Sequence, residues 1–553
     1  MKNTERKLVD VIKGRQIVYW GAGRICQNIL QHHKKFEPDF FIDKYCQEKV
    51  MCGKMVKHPD EITDWSNIYV IITCLQYLEI GQELRSYGLE EKKDFNNFRD
   101  FFNYDNLTII KGIDNVRNKV NANPDLKSRI LIMGHVWDNR NPKVLAYFYS
   151  QYVKDKGEND FVLLARLGED LSEEEAIDEV GFEVIAKPTI CNWSGHAPEQ
   201  LNWRGLVSNP ELTNEECQWI DVLESIKLGD DGKELETRKV TESIYYYYRE
   251  IINLLEPKGI VIWGGWQREA YILKHFAEKN NVPYGFMEHG WVPGTVQFDK
   301  GGIAGQSEYV RNPDAMENRS THISSEEVRH ICKFVTDLKL DTGNLVESEA
   351  EEEILDSIDE NKKTIFLVGM DDYNMAMNPA SDYWKRYVSS VVDSTQQAFE
   401  LLEKECIKNN WNLIYKPHPC RANLNDQTTD EQKQHAYIFY KMPVDRLIEK
   451  ADVVVSISSA VEYKALMYGK PLVQMGKSSL TGQRCSYEIV STAEVGTKMN
   501  EAVNWGMTEL QKENFEVFVA KLLDNYLWDD LSERPLRYGR TIEMDFFEGK
   551  HGL

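Results

Sequence analysis

The chain has 553 residues, too many for one core; at roughly 100–200 residues per domain it divides into three or four. Lys and Arg total 66 against 89 Asp and Glu, a net charge of −23, which argues against a duplex nucleic-acid binder, since neutralising phosphates needs a basic face. No run approaches the ~20 apolar residues of a membrane span, and Met1–Lys7 lacks the apolar stretch of a signal peptide, so a cytoplasmic protein is expected, with docking at the inner face of the membrane left open. The ten cysteines contain no Cys-x-x-Cys pair, and most read as small buried apolar residues.

In chain order, residues 1–100 read as a small nucleotide-fold unit. Gln16–Trp20 is a strand, Gly21-Ala22-Gly23-Arg24-Ile25-Cys26 a tight turn into a helix, Phe40–Asp43 a strand ending in an acid, and Ile68–Thr73 a third strand. Gly21 and Gly23 would admit a phosphate, and Asp43, about 20 residues on, a ribose hydroxyl. Cys26 stands where a third glycine is usual, and a fold that binds nothing, or an interaction module, fits the same residues. Residues 101–125 read as a linker with short helices. A second α/β unit covers 126–340, with strands at 129–134, 161–165, 182–186, 259–263 and 284–287. Its helix over 238–255 holds the run Tyr245–Tyr248, read as a partly buried turn. The acidic stretch 341–362 is a linker or a solvated helix. A third α/β unit covers 363–525, with a strand at 364–369, a helix over 382–409 and helix again from 499 to 528; a C-terminal tail, 526–553, reads as irregular over Trp528–Leu553. Alternating strands and helices imply parallel sheets.

Two strand ends carry the strongest chemistry: Trp411-Asn-Leu-Ile-Tyr-Lys416-Pro-His418-Pro419, and Ala451–Ser456 running into Ser458-Ser459-Ala-Val-Glu462. In open α/β sheets, ligands bind beyond the carboxyl ends of strands. Lys416 and His418, braced by prolines, would stabilise the charge on a departing phosphate. Ser458 and Ser459 open a helix and would hold that phosphate, or simply cap the helix. Glu462 would bind donor hydroxyls or the base, or sit as a first-turn acid favoured by the helix dipole. On the middle unit, Gly264-Gly265-Trp266-Gln267 would line an acceptor cleft or let a helix start close to its sheet. Glu288-His289-Gly290 closes another strand. His289 suits a general base near pH 7; Glu288, Asp299, Asp371 and Asp372 are the candidate carboxylates for a covalent route. His135–Arg140 suits a sugar acceptor or is a surface loop, and Arg268 and Arg421 are candidate anion contacts. Asp371 and Asp372 are adjacent, not spaced as Asp-x-Asp, so transfer without a metal or other cofactor is expected.

Four segments stand in the order and spacing of those of the capsule polysaccharide biosynthesis proteins: Glu288–Trp291 with Asp299–Ile303, Val368–Asp372, Tyr415–Pro419, and Ser458–Gly469 with Gly476–Gly482. The region from about 259 to 485 resembles that family. The resemblance implies an α/β chain with two Rossmann-like lobes of GT-B type facing a cleft, an N-terminal lobe on the acceptor side and a C-terminal lobe on the nucleotide-donor side. Residues 1–100 resemble the small Rossmann-like domain that precedes some bacterial sugar-modifying enzymes. The implied activity is transfer of a sugar, Kdo in the best-understood members, from a CMP-activated donor to a saccharide or lipid-linked acceptor. The family carries a catalytic acid where this chain has His289. The run His289-Gly-Trp-Val-Pro-Gly-Thr295 also resembles a segment of teichoic-acid polyol-phosphate transferases, so a CDP-polyol phosphotransferase with His289 as base is the alternative. A non-catalytic binding scaffold is the third reading.

Overall fold

The computed structural model describes residues 12, 14–22, 26, 30, 37–44, 49–74, 77–97, 109–136, 160–167, 173–188, 207, 209–226, 234–337, 349–372, 381–418 and 428–529. The chain forms two compact units, one built on Met1–Gly112 and the other holding Ile113–Arg166, Glu173–Ala186 and Val207–Leu553.

The first unit carries β1 (Gln16–Trp20), β2 (Phe40–Ile42), β3 (Val50–Met51), β4 (Lys54–Lys57), β5 (Ile68–Ile72) and β6 (Phe95–Asn97), in the sheet order β3-β4-β2-β1-β5-β6. All pairings are parallel except β3 with β4. Strand β5 reads Ile-Tyr-Val-Ile-Ile and is buried throughout, because a parallel sheet covered on both faces calls for an unbroken apolar run. Trp20 at the end of β1 stacks on Trp65, which stacks on Tyr87.

The second unit carries β7 (Ile130–Val136), β8 (Phe161–Leu167), β9 (Glu183–Ala186), β10 (Gly259–Trp263), β11 (Tyr284–His289) and β12 (Thr295–Asp299) in one sheet. A further sheet holds β13 (Thr364–Val368), β14 (Asn412–Lys416), β15 (Tyr437–Ile438), β16 (Val453–Ser456), β17 (Leu472–Gln474) and β18 (Tyr487–Glu488). A last strand, β19 (Trp528–Asp529), returns to the former sheet, whose order is β19-β12-β11-β10-β7-β8-β9. The latter sheet runs β15-β14-β13-β16-β17-β18 and is parallel throughout. These are two Rossmann-like α/β sheets, and the first unit carries a third sheet of the same kind.

Several local expectations change. The stretch expected as a linker at 101–125 carries a 14-residue helix, Ile109–Ala122. The stretch 382–409 is two helices, Asp382–Tyr387 and Thr395–Asn409. Ser389 separates them: its hydroxyl donates to the Met475 carbonyl and accepts from the N–H groups of Val391 and Val392. Likewise 499–528 divides into Val495–Trp505 and Glu509–Asn525, because Gly506 turns at φ +65° and Thr508 opens a capping box with Gln511. The tail does not start irregular. Tyr526 and Leu527 are buried, and Trp528 pairs with Val296. In the acidic stretch, Glu351 is buried and accepts the backbone N–H groups of Tyr440, Lys441 and Met442. Tyr245, Tyr247 and Tyr248 are buried in the helix Glu234–Leu255. One apolar core joins Val292 and Tyr309, from the segment after β11, to Val368, Ile414, Val454 and Phe515.

Candidate functional site

The wholly parallel sheet has its topological switch at β13. The chain leaves β13 for β14 on one side, then returns to β16 on the other, and such a reversal opens a crevice at the strands' carboxyl ends. The three strand ends there deliver Gly369-Met370-Asp371-Asp372, Pro417-His418 and Ile457-Ser458-Ser459. His418 is half-buried, with Nδ1 3.9 Å from Asp371 Oδ2, too long for a hydrogen bond but close enough to hold an imidazolium. Gly369 makes this approach possible. A Cβ there would meet the Lys416 carbonyl oxygen at 2.6 Å and the His418 nitrogen at 2.9 Å. Lys416 Nζ donates to the Tyr440 carbonyl at 3.0 Å.

Asp372 turns inward. Its carboxylate accepts the backbone N–H of Thr395 at 2.8 Å and the Thr395 hydroxyl at 2.9 Å, anchoring the loop to the first residue of the helix Thr395–Asn409. Burial raises its carboxyl to about 6, against those two bonds, with Asp371 adding to the rise. Thr395 also accepts from the Met370 N–H; sequence reasoning passed over this residue, although Ser394-x-x-Gln397 is a legible helix start.

Ser459 and Glu462 close on each other. The Ser459 N–H donates to Glu462 Oε1, and the Ser459 hydroxyl accepts from the Val461 N–H. Glu462 is fully buried, and its other oxygen accepts from Gln474 Nε2. Burial lifts its carboxyl to about 7, against hydrogen bonds from its neighbours. Gln474 in turn donates to the Ser478 hydroxyl and accepts from Ser486. As arranged, Glu462 and Gln474 support the serine turn from beneath and present no surface to a ligand. Ser458 is partly exposed at the crevice.

On the other lobe, β11 ends at Glu288 and an exposed His289. The Glu288 carboxylate accepts the backbone N–H of His289 at 2.9 Å. Desolvation raises the Glu288 pKa, while the His289 ring and that N–H oppose the rise. The His289 ring lies edge-on to Trp263, with centroids 5.2 Å apart. Gly290 leaves no room for a side chain, since a Cβ would overlap the Thr295 hydroxyl. Trp291 then reaches the serine turn's own helix, stacking on Tyr463 at 6.1 Å and on Tyr526 at 5.4 Å. Asp299 is fully buried; it accepts from the N–H groups of Gly301 and Glu308 and from the Tyr526 hydroxyl, so its carboxylate staples the turn. Gly264 turns at φ +73° beside Gln267, which begins the helix Arg268–Lys279, and Gly265 lies against Ile303. Arg268 pairs with Glu224.

In the first unit, Gly21 turns at φ +114° and packs on Thr73 and Cys74. Asp43 accepts the Ala22 N–H at 2.8 Å, so the acid is tied to the glycine turn itself. Gly23, Trp137–Arg140 and Arg421 lie outside the described residues, as does the side chain of His135. Among the described residues no three His, Cys, Asp or Glu side chains converge as a metal site, and no helix is long and apolar enough to cross a membrane.

Residues 381–489 match the family described as capsule polysaccharide biosynthesis protein. This bears out the resemblance read from the sequence, over a segment that includes the His418 and Ser458–Glu462 strand ends. No curated protein matches the chain. Among solved structures it is similar to the KpsC beta Kdo 2,7 transferase of Thermosulfurimonas dismutans, at 16% identity over 52% of this chain and 81% of that one, TM-score 0.32. The beta Kdo 2,4 transferase of the same KpsC matches at 14% identity over 49% and 80%, TM-score 0.33. MnaA of S. aureus, in a co-structure with UDP, matches at 10% identity over 71% and 94%, TM-score 0.33.

Proposed function

We propose that the chain is a glycosyltransferase of bacterial surface-polysaccharide synthesis that takes its sugar from a CMP-activated donor, with Kdo the first candidate and a saccharide or lipid-linked acceptor. The observation that carries this reading is that His418, Asp371 and the Ser458–Ser459 turn follow three neighbouring strands at the switch point of the parallel sheet, with His418 and the two serines inside the segment that matches the capsule family. The donor phosphate would lie against Ser458 and Ser459. His418, held by Asp371, would stabilise or protonate the phosphate as the sugar–oxygen bond breaks. Lys416 contributes positive charge beside it, and no step is assigned to a metal. His418→Ala should reduce turnover of CMP-Kdo by 10²-fold or more, on the order of the cost of removing one charge-stabilising donor, with an unchanged melting temperature. Turnover near that of the unmodified chain would remove this reading.

The exposed His289, beside a Glu288 carboxylate folded back onto backbone, favours a second reading. His289 would deprotonate an acceptor hydroxyl for attack on the β-phosphorus of a CDP-polyol, releasing CMP. Mass spectrometry separates the two: a phosphodiester product supports the second, and a glycoside supports the first.

A further inference from the structure

The helices Thr395–Asn409 and Val495–Trp505 line an open groove of about 590 Å³, a volume within the roughly 300–1,000 Å³ range of small-molecule sites. It shares no residue with the strand-end crevice. Along one wall, Thr497, Glu501 and Asn504 recur at helical spacing on a single face; the other wall carries Lys404 and Glu405. Gly496 lets the two walls meet, since a Cβ there would lie 2.8 Å from the Glu405 carboxylate.

Trp505 stands at the mouth, 64% exposed. It is the last residue of its helix, and that end is fixed: the Gly506 N–H donates to Ala502, and the Gly506 carbonyl accepts from the Tyr487 hydroxyl at 2.7 Å. A large indole is thus left in water at a helix end whose backbone is fixed. The side chains of Lys404, Thr497 and Asn504 are exposed and make no hydrogen bond or ion pair among the described residues.

A flat apolar ring beside exposed hydroxyl, amide and ammonium groups suits a sugar: the C–H face of a pyranose on the indole, with its hydroxyls on the polar wall. A membrane surface would call for an apolar face rimmed by basic residues. Here Glu405 and Glu501 line the same groove as the indole, and Lys408 is paired with Glu405. We propose that this groove is a saccharide-binding site, separate from the strand-end crevice, that holds an oligosaccharide segment. The helix Thr395–Asn409 connects the two places. Its first residue binds Asp372, and Lys408 lies 13 residues further on, about 20 Å at 1.5 Å per residue. A chain seated here would be anchored on the lobe while its end is free to reach elsewhere.

The proposal goes beyond the transfer reading, because binding at the groove needs no turnover. The full chain is titrated calorimetrically with maltohexaose and with a hyaluronan hexasaccharide, in parallel with Trp505→Ala, Asn504→Ala and His418→Ala. At least one sugar binds; Trp505→Ala weakens it tenfold or more, Asn504→Ala weakens it severalfold, and His418→Ala leaves it unchanged. The exposure of Trp505 means that its removal does not threaten folding. Binding of neither sugar, unaltered binding by Trp505→Ala, or equal loss in His418→Ala each overturns the proposal.

Discussion

Glu462→Gln removes one ionisation from beneath the serine turn. Glu462 is 0% exposed, and burial lifts its carboxyl from 4.5 to about 7 against the bonds from Ser459 and Gln474. Between those two values the folded chain holds a proton that the unfolded chain has released. The contribution is therefore fully present below 4.5 and is lost as pH rises through 7. At about 1.4 kcal/mol per pH unit, the rise amounts to roughly 3 kcal/mol. Urea unfolding of both chains between pH 5 and 8 measures it. The difference between the two profiles isolates this residue, because Asp372, raised to about 6, titrates equally in both. The unmodified chain should lose roughly 2–3 kcal/mol relative to Glu462→Gln across that range. Parallel profiles would show that the carboxylate exchanges freely with water and refute the buried-support argument.

Other changes act through sterics and satisfied bonds. Gly369→Ala places a methyl against the Lys416 carbonyl and the His418 nitrogen; it should cost about 1–3 kcal/mol in urea and weaken cytidine nucleotide binding by tenfold or more in a thermal-shift titration. Asp299→Asn leaves an amide facing donors from Gly301, Glu308 and Tyr526, so a loss of about 2–4 kcal/mol is expected; a melting temperature within 1 °C of the unmodified chain would count against it, since roughly 2–4 °C accompanies each kcal/mol in large domains. Trp291→Ala removes the ring stacked on Tyr463 and Tyr526, and calorimetry should show about 3 kcal/mol lost, with Trp291→Phe recovering much of it.

The strands of the parallel lobe were legible because each is a short, unbroken apolar run: Thr364–Val368 and Val453–Ser456 are buried along their whole length. His418, Ser458 and Ser459 were legible too, since each follows such a run directly and a parallel sheet gathers its strand ends on one edge. The partners were not. Thr395 joins Asp372 across 23 residues, and Gln474 joins Glu462 across 12; no local pattern encodes either pairing. Asp299, Asp372 and Glu462 look alike in sequence as acids near strand ends. Burial and nearby N–H groups turn all three inward as supports, whereas Asp371 remains beside His418. The sequence by itself determined which segments become strands and which residue types reach the crevice, because periodicity and chain order are local properties. Tertiary structure alone decided which acids hold the backbone and which lies beside His418, because that depends on the donors that distant segments bring against them.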